Sequence, residues 1–149
     1  MNQELILIYN PYLWFMLGSC WGSFLNVVFY RYPLGLSVVQ PASACPHCNR
    51  PIPGYHNVPV FAWIWLRGKC ANCKAPISVQ YPLVEAFFGG LWLVAYFLHA
   101  TTPGAGISLS FLLTGLFAGG YMLWRSGKAP WYLWSVFVIA AAGYLWSWL

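Results

Sequence analysis

The sequence predicts an all-α membrane protein: about four transmembrane helices, with a cytoplasmic four-cysteine zinc loop between the first two. Three observations predict it. Apolar residues make up 60% of the chain and charged residues 6%, whereas a soluble domain carries roughly 25% charged residues. Such a chain cannot cover a water-facing surface. Its uncharged runs have the length of membrane spans. Two C-x2-C pairs, at residues 45–48 and 70–73, interrupt the apolar pattern. Ten Trp, ten Tyr and ten Phe suit a protein with rings at the membrane interface.

Residues 5–30 contain no charge. Asn10-Pro11 marks the start of the first span, placed at 11–30; a hydrocarbon core of about 30 Å needs about 20 helical residues. Residues 31–81 are polar, Pro-rich and basic. From Ala86 to Trp124 there is no Asp, Glu, Lys or Arg, a run too long for one span. The break HATTPGAG at 99–106 divides it into spans near 82–98 and 107–124. A basic turn, RSGKAP, follows, and a last apolar run occupies 131–149. No cleavable signal is expected in MNQELILIYN, which has no basic n-region and carries Glu4.

The cations set the orientation. Arg31, Arg50, Arg67, Lys69 and Lys74 lie in the first loop, Arg125 and Lys128 in the third, and none in 99–106. In a four-span arrangement all of them share one side, which the positive-inside rule assigns to the cytoplasm. Both termini are then expected outside. The net charge of +5 has this topological use, and no nucleic-acid partner is expected.

Cys45, Cys48, Cys70 and Cys73 form two C-x2-C hairpins separated by 21 residues. Each hairpin can aim two sulfurs at one ion, and two complete a tetrahedron of Zn–S bonds of about 2.3 Å. Two disulfides are the alternative, disfavoured on a reducing cytoplasmic side; an iron–sulfur site and free thiols also remain open. A four-Cys zinc site has no vacant position, so its role is structural: it folds a loop too small to hold a core. Cys20, within the first span, is read as a packing residue, and His47 as solvent-facing.

The pieces GSFLNVVFYRYP (22–33), CPHC (45–48), HNVPV (56–60), RGKCANC (67–73), PIS (76–78) and YPLVE (81–85) occur in this order. Their order and spacing resemble the N-terminal region of the type IV prepilin peptidase family, over residues 18–90. Members of that family are bifunctional enzymes of the bacterial inner membrane, where they cleave the leader from prepilins and pseudopilins. They then methylate the new N-terminal amine with S-adenosylmethionine. The resemblance implies that the four cysteines bind zinc and that this half serves methylation. It divides the chain into a family-like region, 1–90, and a remainder, 91–149, that carries no family motif. Two departures stand out. The family's peptidase half uses two aspartates, yet this sequence contains no Asp; its acids are Glu4 and Glu85, at opposite ends of the predicted topology. An aspartyl protease needs a carboxylate pair sharing a proton. Gln80 stands where the family commonly has a basic residue.

Two functions follow. One is a stand-alone prepilin or pseudopilin N-methyltransferase module without leader-peptidase activity. The other is a non-catalytic scaffold, or a partner that completes a separately encoded peptidase. A fragment of a longer enzyme is a third possibility. Glu85, expected in the first helical turn after Pro82, is either a catalytic acid at membrane depth or a carboxylate that meets the helix dipole. Asn26 must bond a ligand, the loop or another helix, because an unpaired amide in a span is costly. Arg31 is an interfacial anchor or a contact to a substrate or cofactor carboxylate. His56 and Asn57 could orient an amine or the cofactor, or Asn57 could serve the turn before Val58-Pro59. Gly18, Ser19, Gly22 and Ser23 form small-xxx-small pairs, a signature of close helix packing. No strand–helix nucleotide fingerprint is present, so a cofactor pocket would not be Rossmann-like.

Overall fold

A computed structural model describes residues 9–148; Glu4 and the expected lack of a signal segment fall outside them. Among the described residues five α-helices follow in order: α1 (Pro11–Arg31), α2 (Phe61–Trp65), α3 (Gln80–Leu98), α4 (Pro103–Ser126) and α5 (Trp131–Trp146). Among the described residues there is no strand, only two isolated bridges, Ala44 to Pro51 and Lys69 to Pro76. Three of the helices, α1, α3 and α4, are long and apolar enough to cross a membrane. By length and composition they fit a multi-pass membrane protein.

The helix starts have local causes. Pro11 occupies the first turn of α1, where its missing N–H is no loss, and the Asn10 side-chain oxygen accepts the Tyr12 N–H at 2.9 Å. The Ser78 hydroxyl accepts the Gln80 N–H at 3.2 Å and opens α3. Pro103 opens α4, and Gly127 closes it in the left-handed region, at φ 66°.

Three expectations are corrected. The third span was expected to begin at 107 but begins at Pro103. Pro-Gly reads as a turn, yet proline is well tolerated at a first helical position. The fourth helix covers 16 residues, about 24 Å at about 1.5 Å per residue, short of a core of about 30 Å. It is therefore an apolar helix without the length of the other three. Glu85 does not sit in the first turn of its helix: α3 starts at Gln80 and has no acid in its first turn.

The chain divides into two compact units: one of the stretch to Gly18 with Phe88–Leu149, the other Ser19–Phe87. In the first, the Trp92 indole N–H donates to Thr114 Oγ1 at 3.0 Å, which in turn donates to the Ser110 carbonyl at 2.8 Å. Trp14 meets the Trp92 ring edge-on, with centroids 6.3 Å apart. A Cβ on Gly106 would lie 2.9 Å from the Trp14 ring, so the early turns of α4 need glycine at that contact. The second unit carries the cysteines and every site residue proposed from the sequence.

Candidate metal centre and the buried glutamate

The cysteine loop is built from one short motif used twice. CPHCNRPI (45–52) and CANCKAPI (70–77) share the pattern C-x2-C-x2-P-I and the same backbone bonds. The first cysteine N–H donates to the carbonyl five residues on, Cys45 to Arg50 at 3.0 Å and Cys70 to Ala75 at 2.8 Å. The residue after the second cysteine returns a bond to the first cysteine's carbonyl, Asn49 at 2.8 Å and Lys74 at 3.1 Å. Ile52 and Ile77 close each hairpin onto Ser43 and Gly68. Asn49 and Lys74 carry φ of 54° and 60°, the left-handed turn that reverses each hairpin and brings its two sulfurs to one side.

These hairpins bring all four sulfurs within 4.8 Å of one another. Zn–S bonds of about 2.3 Å set a tetrahedron edge of about 3.8 Å; Cys45 and Cys73 Sγ are 3.8 Å apart. That separation joins the two hairpins and is far beyond a disulfide length of about 2.05 Å. The cluster fits a structural metal ion with four thiolate ligands. Protonation is uneven within it. Backbone N–H groups, of Cys73 first and then Asn72, draw the Cys70 thiol down to about 6. At Cys73 the Ala75 N–H pulls downward, but desolvation at the sulfur and the neighbouring thiols carry it up to about 11. Four sulfurs so close cannot all ionise without a cation between them. Cys20 lies on α1, exposed and outside the cluster, and His47 is exposed.

The loop has further braces. Arg50 donates to the Asn72 side-chain oxygen at 3.1 Å, linking the hairpins. The Trp63 indole N–H donates to the Ile77 carbonyl at 3.0 Å. Gly68, at φ 66°, lies under that ring, where a Cβ would come within 2.7 Å.

Glu85 sits where loop and helices meet. It is 8% exposed, and its Oε2 accepts the Val60 N–H at 2.7 Å. Val60 has φ 63° and ψ −54°, and the Phe61 N–H bonds the Pro59 carbonyl at 2.7 Å. Together these define a γ-turn of the rare, strained kind, in a β-branched residue for which positive φ is an outlier. Gly22 of α1 makes room opposite: a Cβ there would lie 2.8 Å from Glu85 Cα and 2.9 Å from the Val84 oxygen. The Ser23 hydroxyl is a further polar neighbour of the carboxylate.

The other candidates are placed as follows. Asn26 is 6% exposed, and its amide donates to the Tyr81 carbonyl in the first turn of α3 at 3.3 Å. Arg31 donates to the Ser37 carbonyl at 3.2 Å as the chain leaves α1. His56 ends a single 3-10 turn, Gly54–His56, and Asn57 closes it through its N–H to Gly54. His56 packs edge-on against Tyr55, with centroids 4.5 Å apart, and Asn57 is exposed. Glu85 and Asn26 thus lie inward on the α1–α3 side, while Arg31 and Asn57 lie toward the surface. Sequence reasoning missed Val60 and Trp63. Trp63 has a trace in its spacing from Gly68; Val60 has none, because a γ-turn leaves no residue signature here.

Residues 16–99 match the model of the bacterial peptidase A24 N-terminal domain. The chain belongs to this family. The A24 match covers α1 from residue 16, the cysteine loop and α3. A prepilin leader peptidase/N-methyltransferase of Myxococcus xanthus is 51% identical over 78 residues, 52% of this chain and 23% of that protein. The enzyme of the same name from Aeromonas hydrophila is 37% identical over 132 residues, 70% of this chain and 45% of its own length. That of Klebsiella pneumoniae is 38% identical over 116 residues, 71% of this chain and 50% of its own. The chain therefore spans half or less of the length of these A24 relatives. No solved structure matches it.

Proposed function

We propose that this chain is an N-methyltransferase module for processed prepilins or pseudopilins, with S-adenosylmethionine as donor and zinc in its four-Cys site. It would lie in the bacterial inner membrane, with the cysteine loop on the cytoplasmic side and its basic residues there. One observation carries the reading: Glu85, the single acid among the described residues, is buried within an apolar helix and bonded to the cysteine loop at Val60. A carboxylate so placed is a functional group by default, and the helix-dipole explanation does not apply in a second turn.

When bound, S-adenosylmethionine supplies an electrophilic methyl group. A sulfonium is a cation, and Glu85 is the complementary charge available to it. The chain's own residues hold the amine and take its proton. A free α-amine has a pKa of about 7.7–8.0, so a sizeable minority is already neutral at cytoplasmic pH, and a strong base is unnecessary. Glu85 would capture the ammonium form, which its charge favours, and take its proton before attack, freeing the lone pair that accepts the methyl as the sulfonium C–S bond breaks and a neutral thioether leaves. Asn26 ties α1 to the first turn of α3 and fixes the depth of that carboxylate. Arg31, at the helix exit, would meet a carboxylate of donor or substrate. His56 and Asn57 border the same loop and would orient the amine. Most of the work is positioning and exclusion of water.

The absence of Asp favours a second reading: the chain is a scaffold, or it completes a peptidase encoded separately. Purified protein supplied with S-adenosylmethionine and a pre-cleaved pilin separates the two. Methylated amine supports the module; no methylation supports the scaffold. An uncleaved prepilin in the same assay should stay intact, since no carboxylate pair is present to activate water.

A further inference from the structure

We infer that α2 lies in the membrane interface, with the exposed face made by Phe61, Ile64 and Trp65 inserted between lipids. The helix spans Phe61–Trp65, and positions three and four apart share one face. Phe61, Ile64 and Trp65 are that face, and all are exposed, Trp65 to 85%. Trp63 points the other way, onto Gly68 and the Ile77 carbonyl. The helix therefore holds its loop with one ring and turns three large apolar side chains outward.

Depth decides what covers them. Val60, the residue before α2, is bonded to Glu85 at 2.7 Å. Glu85 lies five residues into α3, which begins at Gln80; that is about 7.5 Å along the axis at about 1.5 Å per residue. With 19 residues, about 28.5 Å at about 1.5 Å per residue, α3 just matches the hydrocarbon core of about 30 Å, so Gln80 marks its edge. The start of α2 is thus held below that edge, at the depth of about 5–10 Å to which interfacial helices bury their apolar face. Arg67 and Lys69 follow α2 directly and are exposed. They suit phosphate groups at the headgroup level, as cations beside an inserted aromatic face do. No acid lies in the whole segment from 31 to 81 to oppose them.

The test uses the whole protein in phosphatidylglycerol vesicles that carry a photoactivatable diazirine on an acyl chain. After irradiation, peptides are mapped by mass spectrometry. Lipid adducts are expected on Phe61, Ile64 and Trp65 at the level seen on the exposed span residues Leu83 and Phe87, and not on His47. Labelled span residues with a clean 61–65 segment would overturn the inference.

Discussion

The Glu85 carboxylate accepts the Val60 N–H at 2.7 Å, and Val60 holds φ 63° to make that bond. A β-branched residue in such a conformation costs on the order of 1–3 kcal/mol. The chain retains this cost at the one place where the cysteine loop meets a buried acid.

Val60→Gly removes the strain and keeps the N–H. It is expected to raise stability by about 1 kcal/mol, read as a higher melting temperature in detergent. Val60→Ala should gain less, since Cβ remains. A lower melting temperature for the glycine variant would mean that the Val60 side chain, not its backbone, supports the loop.

The repeated hairpins lead to a metal prediction. Purified protein should hold about one zinc per chain, and Cys45→Ser or Cys70→Ser should lose it. Hydrogen exchange over residues 41–76 should then rise, because the loop has no core to replace the metal. Undiminished zinc in either variant would remove the four-thiolate site.

The close approach of α1 to Glu85 gives a paired test. Gly22→Ala places a Cβ 2.8 Å from Glu85 Cα and 2.9 Å from the Val84 oxygen, both backbone atoms that cannot rotate away. A loss of about 1–3 kcal/mol is expected, as for other overpacked contacts. Gly90→Ala meets nothing within 4 Å and should change stability by less than about 0.5 kcal/mol. Equal effects at both positions would mean that the helices do not depend on this contact.

What the sequence made legible follows the range of the interaction. Asn10-Pro11 announced the start of α1 because capping is local. The C-x2-C pairs announced a metal site because each hairpin closes within eight residues. Pro103 was misread because proline serves turns and helix starts alike, and only the packing of Gly106 under Trp14 decides. Glu85 was placed one turn too early because Pro82 looked like the helix entry, whereas Ser78 sets it. The bond to Val60 crosses 25 residues of sequence and depends on a γ-turn that no residue pattern announces. The clip was therefore readable, but the way it grips the acid was not.

The most direct test of the account is methyl transfer itself, from labelled S-adenosylmethionine to the N-terminal amine of a pre-cleaved pilin. Wild-type protein and Glu85→Gln are compared at equal zinc content. Glutamine keeps the shape and can still accept the Val60 N–H, but it cannot take a proton. The wild type should methylate, and the variant should be slower by about 10²–10⁴-fold, the usual cost of losing a proton acceptor. Full activity in Glu85→Gln would contradict the role assigned to this carboxylate, and no activity in the wild type would contradict the assignment of the chain as a methyltransferase.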